Sequence, residues 1–327
     1  MDPRISIVVV TCNRCDALQE ALNSVLAQDF DGYEIVVVDN GSVDDTPRLV
    51  RQDFPQVRYV RLPENMGPAV ARNVGIVNSG GNIILTLDDD EMLMDRDGLQ
   101  KAYDRFQQLP ELAALSCREI PYCPDRPQSS DYKGDPAAPN EMERYVFLIS
   151  VGMTFFRRRF LEEAGHFDPL FWRLEDTEFS YRLGRTCGRV LYCPQIRILH
   201  RTYASRRDLS PIEYHRFRNH MIINWRYLPL PDALVYTIWQ LGAEAVRALR
   251  EGWLPHYLRA LMELVVKLPK TIIFERDPVS RQIMRRIYYL QTHIAQDYQE
   301  VEDSAIGFWE YYVHQLKSRF VQRQRFT

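Results

Sequence analysis

Three short runs restrict the fold of this chain more than any other feature: Ile5–Val10 (ISIVVV), Glu34–Asp39 (EIVVVD) and Ile83–Leu87 (IILTL). Each is an almost unbroken series of β-branched and aliphatic residues, without the alternation of a strand that has one wet face. Such runs belong to strands covered on both sides. The segments between them have helical periodicity. Asp16–Gln28 sets Ala17/Leu18, Ala21/Leu22 and Val25/Leu26 four apart, one stripe of a helix. In NGSVDDTP, Ser42 or Asp44 can cap a helix running toward Arg51. Val57–Leu62 reads as a third, weaker strand, and Pro68–Asn78 as a helix with Pro68 in its first turn. Repeated β-α-β units of this spacing predict an α/β fold: a mostly parallel sheet sandwiched by helices.

In such sheets ligands bind outside the carboxyl ends of the strands. That rule gathers three polar clusters at one rim: Thr11-Cys-Asn-Arg14, Asp39-Asn-Gly41 and Asp88-Asp-Asp90. If the strand continues past Asp88, alternation points Asp88 and Asp90 together and Asp89 away. Two converging carboxylates suit a hard divalent cation and leave positions open for phosphate oxygens. Taken alone, the same acidic run also describes a solvated turn.

Further along, 117–140 is a Pro/Ser/Asp-rich loop, either a lid or a variable insertion. Val151–Phe156 resumes strand character. Leu174–Arg185 reads as a helix with Glu175-Asp176 in its first turn, and Ile196–Leu199 as a short strand ending on His200. From Pro211 onward the texture is helical. The apolar stripes there pack as core or dip into a membrane surface. The tail 315–327 holds Lys317, Arg319, Arg323 and Arg325 and no acid. It reads as a solvated helix end or as a cationic contact to anionic lipid.

The 327 residues are 46% hydrophobic and carry a net charge of −3, so no global field points to nucleic acid. Neither a leader peptide nor a stretch able to span a bilayer is legible, which predicts a cytoplasmic location, with peripheral contact to the cytoplasmic membrane face through the C-terminal helices. The six cysteines are then expected to be free. Cys12-Asn-Arg-Cys15 has CxxC spacing, but no second pair completes a zinc site.

Four ordered segments, ISIVVVTCNR, EIVVVDNGSVDDT, ENMGPAVARNVGIVNSGGNIILTLDDDEM and GHFDPLFWRLEDTEFSYRL, resemble the GT-A fold, family 2 glycosyltransferases. The resemblance covers about Ile5 to His200. It implies a catalytic domain over 1–205, with a nucleotide-sugar half over about 1–95 and an acceptor half over about 96–205, followed by a helical region over 206–327. By the same resemblance, Asp39 holds the base and ribose of a nucleoside-diphosphate-sugar, with Thr11, Asn13 and Arg14 beside it. Asn65 and Gly67 also bind the nucleotide-sugar, and Arg72 meets the diphosphate, where a guanidinium fork suits phosphate oxygens. Asp88 and Asp89 belong to the donor site, and Asp90 with Asp88 takes Mn²⁺ or Mg²⁺. His200, by its place at a strand end near the same rim, is a further metal or diphosphate ligand or else a satisfied structural histidine. Asp176 is the implied general base of an inverting transfer and Glu175 its supporting residue. The implied donor is a UDP- or dTDP-sugar, and the acceptor a saccharide or a lipid-linked glycan.

Arg201, Arg206, Arg207, Arg216, Arg218 and Arg226 make the following segment basic. Either they grip phosphates, or they pair with acids on a helix face. Within it, YHRFRN resembles a YYxxRN-like stretch of bacterial rhamnosyltransferase-type members, with His215 in place of the second tyrosine. Two other readings stay open. A sugar nucleotidyltransferase shares the sheet and the metal carboxylates, but usually opens with a glycine-rich phosphate loop that TCNRC lacks. A binding protein that has lost turnover would keep the nucleotide site.

Overall fold

The computed structural model describes residues 3–123, 141–201, 210–303, 306–307 and 310–311. The chain divides into two compact units: Met1–Arg144 with Leu148–Arg206, and Tyr145–Phe147 with Arg207–Thr327.

In the first unit, β1 (Ile5–Thr11), β2 (Tyr33–Asp39), β3 (Arg58–Arg61) and β4 (Ile83–Asp88) alternate with α1 (Cys15–Leu26), α2 (Thr46–Asp53) and α3 (Pro68–Val77). β5 (Glu91–Leu93), α4 (Gly98–Gln108) and β6 (Leu112–Tyr122) follow, then β7 (Arg144–Tyr145), which has one residue in each unit. The unit then adds β8 (Met153–Arg157), α5 (Arg158–Ala164), α6 (Glu175–Leu183) and β9 (Arg189–Arg201). The strand order is β3-β2-β1-β4-β8-β6-β9-β5, with β7 off this path. The continuous apolar runs are covered on both faces as expected: Ile5, Ile7, Val8 and Val9 of β1 and Val36, Val37 and Val38 of β2 are fully buried. Each such side chain stabilises the fold by about 1.5–3 kcal/mol.

β1 to β4 pair in parallel, but β8 runs antiparallel to both β4 and β6, so the second half of the sheet is mixed. A parallel start followed by a reversed strand leaves the carboxyl ends of β1, β2 and β4 at one rim, with Thr11 beside Asp39 and Val10 beside Asp88 in register.

β9 is longer than Ile196–Leu199. It starts at Arg189, and its register on β6 jumps from Cys117↔Cys193 to Arg118↔Arg197. Pro194, which has no N–H to give, sits in that break and hides the strand from a reading of periodicity. β5, also not expected from the sequence, pairs with β9 and places Glu91 opposite His200.

The second unit is helical: α7 (Ser210–Tyr227), α8 (Leu230–Glu251), α9 (Leu254–Lys270), a π-helical turn (Thr271–Glu275), α10 (Arg281–Thr292) and α11 (Tyr298–Asp303). Its core includes Phe217, Met221, Ile222 and Tyr257, with the Phe217 and Tyr257 rings 4.9 Å apart. Among the described residues no helix is long and apolar enough to cross a membrane. The tail 315–327, Arg206 and Arg207 lie outside the described residues, as do 124–140 of the expected 117–140 loop; its start, Cys117–Tyr122, is not loop but the end of β6, paired with β9.

Candidate functional site

The rim is built from loop ends tied to one another. Asn13, in the left-handed region at φ 55°, accepts from Val43 N through its side chain (2.7 Å), while its own N–H donates to Ser42 Oγ (2.9 Å). Asn40 Nδ2 donates to Asn65 Oδ1 (2.9 Å), which also accepts from Gly67 N (3.0 Å). Asn40 Oδ1 accepts from Met66 N (2.8 Å). The loops after β1 and β2 and the segment entering α3 therefore form one hydrogen-bonded surface, with Thr11 buried at its base. Gly41 makes this possible: its φ is 79°, and a Cβ there would meet Glu64 backbone atoms at 2.6 Å.

Asp39 is fully buried. It accepts from Ser42 N (2.7 Å) and from the hydroxyl of Tyr59, and Arg61 Nε stands 3.7 Å away. Burial, then the Asp39 carboxylate, raises the Tyr59 pKa above its ordinary value, so the phenol stays a donor. Tyr59 and Arg61 were not among the expected site residues. The β2–β3 register, which sets Arg61 beside Asp39, is the signal that finds Arg61.

Alternation does not carry through the acidic run. The chain turns at residues 89 and 90, directly after β4. Asp88 instead accepts from Arg72 Nη2 (2.6 Å), and Arg14 Nη1 donates to both Asp89 (3.0 Å) and Asp90 (2.5 Å). Burial pushes the Asp89 carboxyl up to about 6, against the pull of Arg14. Glu91 is buried, takes the N–H of Asp88 (2.8 Å), and has its pKa raised by burial first and by Asp88 next. Its carboxylate occupies the space a side chain at residue 152 would need: a Cβ on Gly152 would lie 2.4 Å from Glu91 Oε1. Glu91 thus closes the turn that presents the three aspartates.

Arg72, itself buried, reaches across the rim to Glu175 Oε1 (3.2 Å) as well as to Asp88. Burial alone would lower its pKa, but Asp88 and Glu175 raise it, so it stays a cation. It joins the carboxyl end of β4 to the first turn of α6, which follows Leu174 at φ 65°. A leucine held in that region is strained, and such strain gathers at functional sites. Asp176 accepts from Thr177 N (2.6 Å), and burial raises its pKa; burial also raises that of Glu175, opposed by Arg72.

His200 Nδ1 bonds Glu119 Oε1 (2.6 Å), and its Nε2 is 3.9 Å from Asp90 Oδ1. The Glu119 bond is the main cause of a raised His200 pKa, with burial opposing it. Glu119, on β6, lies in none of the motifs quoted above and has no sequence signal.

Among the described residues no group of three or more His, Cys, Asp or Glu side chains is placed to hold a metal ion. Asp90, the partly exposed Asp88 and an imidazole nitrogen held from behind by Glu119 are the donors at this rim, and a cation there would have to draw its other ligands from phosphate oxygens. All six cysteines are free, and Cys12 Sγ accepts a weak bond from Asn65 (3.5 Å). Arg216, Arg218 and Arg226 pair with Glu244, Glu263 and Glu275 at 2.8, 3.1 and 2.8 Å, and Arg201 pairs with Glu20. For these four the helix-face and surface pairing is what the structure displays, not an open phosphate grip.

Residues 6–165 match the family model "Glycosyl transferase family 2". The succinoglycan biosynthesis protein ExoO of Rhizobium meliloti is 39% identical over 104 residues, which are 32% of this chain and 30% of that one. The chain thus spans less than a third of that curated relative. Among solved structures, S. aureus TarS 1-349 in complex with UDP-GlcNAc is similar at TM-score 0.60 and 18% identity, over 93% of this chain and 91% of that one. Mannosyltransferase PcManGT from Pyrobaculum calidifontis, in complex with GDP-Man and Mn²⁺, is similar at TM-score 0.52 and 22% identity, over 81% and 76%. These likenesses show the fold, GT-A.

Proposed function

We propose that this chain, whose residues 6–165 match the model of glycosyl transferase family 2, is a member of that family and moves a sugar from a nucleoside-diphosphate-sugar to a hydroxyl of a saccharide or lipid-linked acceptor in the synthesis of a cell-surface glycan. The observation that carries this reading is the Arg72 bridge: one buried guanidinium ties the acidic end of β4 to the acidic first turn of α6. This supports a donor site at the β4 end of that cation and a base, Asp176, next to its Glu175 partner at the other. The solved neighbours with UDP-GlcNAc and with GDP-Man and Mn²⁺ support the donor class.

In this reading Asp39 accepts hydrogen bonds from the base and ribose, and Thr11, Asn13, Asn65 and Gly67 shape the surface under the nucleotide. Arg72 and Arg14 turn their guanidinium forks to the diphosphate, giving up part of their carboxylate contacts as it enters. Asp90 and Asp88, with His200, would hold Mn²⁺ or Mg²⁺. Such an ion neutralises charge on the departing diphosphate. Asp176 removes the proton of the acceptor hydroxyl as its oxygen bonds the anomeric carbon and the bond to the diphosphate oxygen breaks, inverting that centre. A carboxylate whose pKa burial has raised is a stronger base than an exposed one. Glu175 keeps Arg72 aimed across the rim.

The test is release of nucleoside diphosphate from a panel of UDP-, dTDP- and GDP-sugars, with Mn²⁺ and with EDTA. Turnover of at least one donor that EDTA abolishes is expected. An Asp88→Ala/Asp90→Ala double variant that binds nucleotide and Mn²⁺ as tightly as the unaltered chain would overturn the metal assignment. Release of pyrophosphate from a sugar phosphate and a nucleoside triphosphate would move the chain to the nucleotidyltransferases.

A further inference from the structure

The second unit leaves large side chains in water where a helix normally shows polar ones. On α9 and the π-helical turn after it, Leu258 is 49% exposed, Met262 66%, Val265 74%, Val266 76%, Ile273 68% and Phe274 79%. The first four recur at helical spacing on one face, and at 1.5 Å per residue the stretch from Leu258 to Phe274 is roughly 25 Å long. A contiguous apolar surface of this kind marks an interaction site.

Charge identifies what it meets. Between Pro255 and Phe274 the exposed positions include two ionisable side chains, Arg259 and Lys270, and both are cations. The acids of this stretch and its end are half-buried and each is held by cations. Glu263 pairs with Arg218 (3.1 Å) and Lys267 (2.9 Å), and Glu275 pairs with Arg226 (2.8 Å) and Lys270 (3.1 Å). An apolar stripe whose exposed charges from Pro255 to Phe274 are cations, the exposed Asp277 lying past its end, matches a helix lying in the interface of an anionic bilayer. It does not match self-association, which would bring two cationic rims together.

We infer that α9 and the turn 271–275 lie flat on an anionic lipid surface, with Val265, Val266, Ile273 and Phe274 in the acyl boundary and Arg259 and Lys270 among the headgroups. No membrane crossing is implied. The inference rests on the C-terminal unit and not on the donor site, so either can fail without the other.

Co-sedimentation of the full chain with vesicles tests it. Stronger partition onto phosphatidylglycerol/phosphatidylcholine vesicles than onto phosphatidylcholine alone is expected, weakening as salt rises. A Val266→Asp/Ile273→Asp variant should lose about tenfold or more in partition. A Val266→Ser/Ile273→Ser variant, which adds no charge, should lose less but measurably. Arg259→Gln/Lys270→Gln should weaken binding to anionic vesicles and leave binding to neutral ones unchanged. Circular dichroism and Tm serve to show that each variant is folded. The inference is overturned if the unaltered chain stays in the supernatant with anionic vesicles. It is equally overturned if folded apolar variants partition as before, or if the chain is a dimer that these substitutions split, since a second copy then covers the face.

Discussion

At the scale of single residues, Asp176 connects the chemistry of the rim to stability. Its pKa is raised, with burial as the first cause. As a base it works only ionised, so kcat/KM should climb with pH through a value above the ordinary aspartate range. The same shift has an opposite sign for folding. A carboxyl whose pKa is higher folded than unfolded contributes stability below the unfolded value and loses that contribution as pH rises through the folded one. Asp176→Asn, which keeps an oxygen for Thr177 N, is therefore expected to cut kcat by about 10²–10⁴. It should also be more stable than the unaltered chain at neutral pH, with the gap closing below the ordinary aspartate value. Glu175→Gln should retain the acidic limb of the pH profile while weakening donor binding through Arg72. Stopped-assay pH profiles and denaturant titrations of the two variants separate these outcomes. If Asp176→Asn turns over at the original rate, Asp176 is not the base.

At the scale of elements, the sequence showed the apolar strands β1, β2 and β4 but not every strand or turn. β1, β2 and β4 were legible because each is apolar on both faces, and a strand covered twice leaves an unbroken run. The rim followed from them by the parallel register. What failed was local. Alternation was extended past Asp88, where the chain turns, because nothing in DDDE distinguishes a strand end from a strand. The reason for the turn lies 61 residues away in sequence, in the gap that Gly152 leaves for the Glu91 carboxylate. β5, β6 and the first half of β9 were missed: β5 is three residues long, β6 ends in the Pro-containing stretch read as the start of the 117–140 loop, and β9 carries Pro194. Glu119, behind His200, became visible only when β6 paired with β9. The loop linkage gives a prediction of its own. Gly41→Ala places a β-carbon against the Glu64 backbone at a positive φ, at a cost of about 1–3 kcal/mol. Because Asn40 and Ser42 on either side hold the neighbouring loops, the loss of stability should come with a several-fold weaker affinity for UDP, read by calorimetry. A variant with lower Tm and unchanged nucleotide affinity would detach this loop from the donor site.

At the scale of the whole molecule, the rim is a place where like charges are stored until a ligand arrives. Asp88, Asp89, Asp90 and Glu91 follow one another, and Arg14 and Arg72 are the guanidinium groups that hold the three aspartates. Those cations are the same ones that a diphosphate would claim, so the folded chain without ligand carries acidic repulsion that its own arginines only partly offset. Anything that binds the folded state and not the unfolded one stabilises it by RT ln(1 + [L]/Kd), about 3 kcal/mol at a hundredfold excess over Kd. Thermal unfolding of the full chain should therefore respond to Mn²⁺ and UDP cooperatively: little with either alone, and several degrees with both. EDTA should remove the shift, and Asp90→Asn should abolish the Mn²⁺-dependent part while leaving the Tm without ligand unchanged or higher, since one repelling charge is gone. Hydrogen exchange with both ligands should slow in 11–14, 39–43, 65–67 and 88–91. Protection confined to other segments, or a UDP shift indifferent to metal, would mean that the carboxylates serve the turn alone and that the nucleotide binds without them.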